Sequence, residues 1–207
     1  MLALVVGFVL ATLPVSDGYR LPPKEVVELV DAPVTPGTQL SPSGRWMLLV
    51  ERPALPSIAD VARPWIGLAG MRLDPRTNAP HDTSFDTGLV VRDLEGTQQR
   101  RVPLPDGARI GSVAWSHHDK LFAFTLVKED EIELWCCDAL ELTPRRVAQG
   151  LNTLFDEFQW MPDGTTLAYK RIPEKRGAAP EAPRAPEGPA VQESSGRKSP
   201  VRTYQDL

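Results

Sequence analysis

At 207 residues the chain has room for one large domain, or for a smaller domain with appendages. Hydrophobic residues make up 42 % and charged residues 24 %, both near the globular norm. With 23 basic against 27 acidic side chains the net charge is −4 and no basic stripe forms, so a nucleic-acid partner is not suggested. The 2 cysteines exclude a disulfide framework, while 21 prolines against 15 glycines predict many turns, protected edges or an unfolded insert.

The N-terminus holds an apolar run from Leu2 to Leu13, too short to form a stable membrane span but of the length of a secretory h-region. Residues 1–16 are therefore read as a signal peptide cut after "PVS", which places the mature protein in the periplasm or outside the cell. Neither a basic residue before the run nor a clean small-x-small site is present. The start of a buried strand or helix, and a start codon inside a longer gene, stay open as other readings. Residues 17–39 read as an N-terminal extension.

From residue 40 the chain repeats. "LSPSGRWMLLVE", "VAWSHHDKLFAFTL" and "FQWMPDGTTLAYKR", beginning at Leu40, Val113 and Phe158, each show an apolar approach, a four-residue turn and a departing strand. The turns are Ser41–Gly44, Ser116–Asp119 and Met161–Gly164. Proline presets φ at the second position of two of them, and the second copy carries His117 and Asp119 where the others have proline and glycine. Trp115 and Trp160 stand 45 residues apart, one four-stranded propeller blade, and the 75 residues from Ser41 to Ser116 fit a blade with an insertion.

The insertion follows "WMLLVERP". Ser57 is expected to cap a short helix with Asp60 three residues on, Ile58, Val61 and Ala62 giving it an apolar face and Pro64 stopping it. "GMRLDPRTNAP" is read as the displaced second strand. "TGLVVRDLEGTQQRRVPLP" then reads as strand, turn at Glu95–Gly96, and strand. The second blade is predicted at residues 111–115, 121–127, 131–138 and 145–148. Cys136 and Cys137 lie on one strand, pointing to opposite faces, one buried and one outward. The tryptophans read as core, Trp135 between blades. After Arg171 the prolines 180, 183, 186 and 189 recur every three residues with no apolar face, an extended, disordered insert. The fold class is thus all-β, an incomplete β-propeller of about two and a half four-stranded blades. The blades lie near 40–105, 110–148 and 154–207, with a short helical insertion and a Pro/Ala-rich insert over 172–202. Open blade edges predict self-association.

No catalytic, cofactor-binding or metal-ligating residue is assigned. No Gly-x-Ser-x-Gly elbow occurs: Gly111-Ser112 opens a strand and Ser194-Ser195-Gly196 lies in the insert. His81 sits in a loop beside Asp82, and His117 and His118 read as solvated turn residues without a third ligand at metal spacing. "DGARIG" lacks the spacing of a nucleotide fingerprint. Glu129, Asp130, Glu131 and Glu133 read as a solvated hairpin turn rather than a calcium loop. Arg100-Arg101 and Arg145-Arg146 occupy matching late-strand positions, either a basic edge or routine edge protection.

The stretches "GYRLPPKEVVELVDAP", "LSPSGRWMLLVERPALPSIADVARPWIGLAGMRLDPRTN" and "GPAVQESSGRKSPVRTYQDL" resemble the N-terminal region of glutamyl endopeptidase-type members of the prolyl oligopeptidase family of serine peptidases. The likeness covers Gly18 to Leu207, and "ALPSIADVARP" and "QESSG…RTYQDL" are its most specific parts. The resemblance implies a longer protein, in which a propeller restricts which peptides reach a C-terminal α/β-hydrolase domain bearing the Ser-Asp-His triad. No position here matches that triad, so a chain of this extent is expected to be inactive alone. A non-enzymatic propeller-type module that binds a protein or peptide is the other reading.

Overall fold

In the computed structural model of the chain, residues 21–95 and 98–177 are described. The signal-like run, Gly96 of the expected Glu95–Gly96 turn and the insert from Ala178 onward lie outside the described residues. Two compact units occur, one ending at Ala32 and one starting at Pro33. The first contains helix α1 (Lys24–Val30), which buries none of its residues and carries an exposed Lys24–Glu28 pair at 3.3 Å, one turn apart.

The second unit is a series of antiparallel sheets. Strands β1 (Gly37–Leu40), β2 (Trp46–Glu51), β6 (Gly88–Asp93) and β7 (Gln99–Arg101) form a four-stranded meander in the order β1-β2-β6-β7. A second meander follows, β8 (Ile110–Trp115), β9 (Leu121–Val127), β10 (Ile132–Asp138) and β11 (Arg145–Ala148). A hairpin of β12 (Phe158–Trp160) and β13 (Leu167–Tyr169) begins a third. Between β2 and β6 the chain makes helix α2 (Ile58–Val61) and a separate small sheet of β3 (Ile66–Leu68), β4 (Met71–Asp74) and β5 (Ala79–Pro80).

The three repeated segments fold as three hairpins with the same turn geometry. In each, the residue opening the turn donates its N–H to a carbonyl five positions on: Ser41 to Trp46 (2.8 Å), Ser116 to Leu121 (2.8 Å) and Met161 to Thr166 (2.9 Å). The fourth turn residue is left-handed every time, with φ of 76° at Gly44, 58° at Asp119 and 65° at Gly164. Glycine suits that region, and Asp is among the few side chains that tolerate it, so the degenerate copy keeps the same turn.

Each hairpin is also tied to the one before it. Trp115 Nε1 donates to the Gln39 carbonyl at 3.2 Å and Trp160 Nε1 donates to the Ala114 carbonyl at 3.1 Å. Gln39 and Ala114 occupy the same place in their repeats, one residue before Leu40 and Trp115. The indole is thus the recurring link between sheets, joining large apolar area to one part-buried hydrogen bond. At the turns, Ser43 N–H donates to Asp119 Oδ1 at 2.8 Å.

Two cores result. Leu48, Val50, Leu89 and Val91 of the first sheet pack with Phe122, Phe124 and Leu126 of the second. The opposite face of the second sheet, with Ala123, Leu134 and Cys136, packs with Trp160, Phe158 and Leu167 of the third. The second sheet is therefore covered on both faces, and β9 is buried at five consecutive positions, whereas β2 alternates between buried and half-buried. Full burial of Phe122 and Phe124 contributes about 1.5–3 kcal/mol each.

Several expectations are corrected. Cys136 and Cys137 do point to opposite faces, but both are buried free thiols, because each face of β10 has a neighbouring layer. Burial pushes the Cys137 thiol up to about 12 and raises that of Cys136. "GMRLDPRTNAP" is no displaced member of the first sheet: β2 pairs directly with β6, Trp46 opposite Asp93, and Met71–Asp74 belongs to the insertion's own sheet. Helix α2 has the expected cap, Ser57 Oγ accepting from Asp60 N at 3.0 Å, but Ile58 and Val61 face solvent. The helix is a single turn held by its cap and by Asp60. Trp65 is exposed rather than core, with the Arg72 guanidinium 4.8 Å above its ring.

Candidate functional site

The residues with chemical potential are dispersed by the fold. His117 and His118 stand exposed in the second turn. The His118 ring lies against Gly164 of the next turn so closely that an added Cβ would sit 2.1 Å from its Cδ2. The imidazole acts as a spacer between turns. His81 follows β5, its Nδ1 buried without a hydrogen-bond partner and its ring 6.5 Å from that of Trp65. Ser112 lies inside β8, its N–H bonded to Thr125 Oγ1 at 2.9 Å, and Ser194–Gly196 is outside the described residues. Among the described residues no hydroxyl or thiol is bonded to a histidine ring, and no cluster of three or more His, Cys, Asp or Glu could hold a metal ion. No helix among them is long and apolar enough to cross a membrane.

The acidic cluster divides. Glu129, Asp130 and Glu131 belong to the β9–β10 turn region, but Glu133 is a buried residue of β10. It accepts from Arg146 Nη1 at 2.6 Å and Trp135 Nε1 at 3.0 Å, with Lys128 Nζ at 3.9 Å. Burial alone would raise this carboxyl. The bonds from Arg146 and Trp135 and the nearby ammonium outweigh it and hold the group below its ordinary value. The late-strand arginines are likewise internal ties. Arg101 Nη2 bonds Glu51 Oε1 at 2.7 Å, Arg146 bonds Glu133, and Arg100 donates to the Ala139 carbonyl at 3.3 Å. Glu51 and Arg101 meet over Gly88, where a Cβ would lie 2.2 Å from Glu51 Oε2. A side chain there would require the pair to shift.

Among the described residues a cavity of about 780 Å³ is present. It opens between the chain leaving β2, the approach to β6, and the 101–109 connection from β7 to β8. Its walls are largely apolar, with Leu55, Phe85, Val102 and Leu104 and the prolines 53, 56, 103 and 105. Phe85 is buried, and the guanidiniums of Arg63 and Arg109 lie over its ring at 5.5 Å and 6.0 Å. Arg109 Nε is 3.1 Å from Asp60 Oδ1 and Arg109 Nη1 is 3.5 Å from Glu129 Oε1. Behind Phe85, Arg63 pairs with Asp74, both side chains buried, and Asp74 Oδ1 also accepts from Arg76 N at 2.9 Å. Rigid prolines, one aromatic floor and charges paired among themselves line the cavity. The wall contains no nucleophile with a base: Ser57 Oγ is engaged by Asp60 Oδ2 at 2.6 Å.

No motif marks this cavity in the sequence: "DGARIG" has no nucleotide-binding spacing, yet its Arg109 lines the wall. The available signal was the run of prolines at 53, 56, 103 and 105, split between segments some fifty residues apart.

No family model matches the chain. Two curated relatives do. A protein named "Probable glutamyl endopeptidase, chloroplastic" from Oryza sativa subsp. japonica is 36 % identical over 206 residues, covering 92 % of this chain. A protein of the same name from Arabidopsis thaliana is 36 % identical over 210 residues, covering 94 %. The chain spans 22 % of the length of each. Similarity along nearly the whole chain suggests a peptidase-related region of that family.

Proposed function

We propose that this chain is part of the substrate-gating β-propeller of a serine peptidase of the prolyl oligopeptidase family, of the glutamyl endopeptidase type. The observation that carries the reading is the 36 % identity over 92 % of the chain to a relative named for that activity. Two four-stranded meanders and a third hairpin, linked by a recurring indole-to-carbonyl bond, support a propeller as its architecture. In this reading the Ser, His and Asp of catalysis lie in a separate α/β-hydrolase domain, and these 207 residues are silent alone. Their role is to narrow the path of peptide substrates. An apolar leader at Leu2–Leu13 would direct the protein out of the cytoplasm.

The gene downstream of the codon for Leu207 tests this reading. An open frame continuing through further blades to a Gly-x-Ser-x-Gly elbow is the expected result. A frame that closes without such an elbow overturns it. The cavity beside Phe85 favours a second reading, a peptide-binding module without catalysis. That reading predicts saturable binding of proline-containing peptides by the isolated chain, with loss on substitution of Phe85.

A further inference from the structure

The insertion reaches beyond its own small sheet. The turn joining β4 to β5 closes where the Asn78 N–H donates to the Asp74 carbonyl at 3.0 Å, with Asn78 left-handed at φ 56°. A polar turn of this kind ordinarily lies at the surface, where water satisfies its groups. Here Asp74 and Thr77 are each 1 % exposed, and Ala79 packs with Ala123, Leu134 and Trp160 in the second core. The tip of the insertion is therefore seated where the second sheet meets the third hairpin.

That seating leaves polar groups to be satisfied. Asp74 is met by Arg63 and by the Arg76 N–H. Thr77 is not met: its Oγ1 is buried and has no hydrogen-bond partner among the described residues, a costly state for a hydroxyl. Thr77 lines a small cavity of about 20 Å³, together with Arg63, Asp82, Thr125, Thr153 and Glu157. Three parts of the chain thus converge: Arg63, Thr77 and Asp82 come from the insertion, Thr125 from β9, and Thr153 and Glu157 from the approach to β12. Thr125 Oγ1 accepts from Ser112 N at 2.9 Å and donates to Glu157 Oε2 at 3.0 Å, which leaves it one lone pair. Gly111 makes room for that bond, since an added Cβ would lie 2.6 Å from Thr125 Oγ1.

Size and charge choose the occupant. A space of about 20 Å³ suits one water molecule and no larger ligand. The buried Arg63 guanidinium on its wall repels a bare cation, and the Glu157 and Asp82 carboxylates repel an anion. What remains is a neutral molecule that both donates and accepts. We propose that this cavity is a binding site for one internal water, which accepts from Thr77 Oγ1 and donates to Thr125 Oγ1 and to the Glu157 carboxylate. Three hydrogen bonds are the usual complement of such a water. It joins the tip of the insertion to the second sheet and to the third hairpin at once. Phe85 lines both this cavity and the larger one, so the joint also backs the aromatic floor. Thr77 is in this sense a positioning residue.

Hydrogen exchange in the full chain tests the site, because a watered and a dry hydroxyl predict opposite signs. The Asn78 and His81 amides, bonded to the Asp74 and Arg72 carbonyls, report on closure of the insertion's hairpin. In Thr77→Val a watered hydroxyl is lost, and exchange of both amides is expected to quicken about fivefold. Thr77→Ser keeps the hydroxyl and is expected to exchange as the unsubstituted chain does. Exchange in Thr77→Val that is unchanged or slower would mean that a dry, unpartnered hydroxyl had been removed, and would overturn the proposal. A crystal structure of the unsubstituted chain gives a second measure that needs no folded variant. A water oxygen about 2.6–3.2 Å from both Thr77 Oγ1 and Glu157 is expected. Thr77 Oγ1 bonded directly to a protein group, with no water between, would overturn the site.

Discussion

Arg63 and Asp74 form the most consequential pair of side chains in the insertion. Both are buried, their side chains 8 % and 1 % exposed, and they hold the link after α2 to β4 directly beneath Phe85. A buried pair of this kind contributes little relative to apolar residues of the same size, but removing one member strands the other charge. Arg63→Leu is therefore expected to destabilise the chain by about 3–5 kcal/mol in urea unfolding, and Arg63→Leu with Asp74→Leu by much less. A loss under about 1 kcal/mol for the single variant would show that Arg76 alone compensates the buried Asp74 carboxylate. Glu133 is a buried carboxylate met by Arg146, Trp135 and Lys128 together.

At the scale of elements, the hairpins are joined chiefly by side chains, with one backbone bridge between Asp86 and Ile110. Trp115 and Trp160 each replace a strand-to-strand connection with one indole bond and the packing of the ring. Trp115→Phe and Trp160→Phe keep most of the apolar area and remove the donor, so each should cost about 0.5–1.5 kcal/mol in thermal or urea unfolding. Leu40, at the equivalent place in the first hairpin, is 58 % exposed, so Leu40→Ala is expected to change stability by less than either tryptophan variant. A cost near zero for both tryptophan variants would mean that ring area, and not the hydrogen bond to the previous sheet, does the joining. The turns show how far a repeat can drift: Asp119 keeps the left-handed conformation that glycine gives elsewhere and uses its carboxylate to hold Ser43 of the preceding turn.

At the scale of the molecule, the third hairpin leaves apolar side chains exposed among the described residues. Phe155 is 72 % exposed and Met161 41 %, beside a hairpin whose outer edge has no partner among the described residues. The outer strands of the complete sheets are better protected, with exposed Arg100 and Arg101 on β7 and Arg145 and Arg146 on β11. We expect the isolated 207-residue chain to self-associate through its third sheet, seen as mass rising with concentration in light scattering, and Phe155→Ser to reduce it. A sharp monomer with cooperative melting would contradict this.

The amino-acid sequence by itself determined the local units. Turn chemistry and apolar alternation placed three hairpins and the four strands of the second sheet to within a residue or so, because those signals act over a few neighbours in the chain. The Ser57 cap was legible for the same reason. Only the tertiary structure decided what covers each face. Whether Cys137 meets solvent depends on a layer from β2 and β6, and whether Glu133 is solvated depends on Arg146 of the next strand. The insertion's sheet was misassigned because Met71–Asp74 reads equally well as a strand of either sheet, and pairing is settled by which partner the chain can reach. The cavity was invisible in one dimension, since Pro53, Phe85 and Arg109 come together only when the 101–109 link crosses the foot of the insertion.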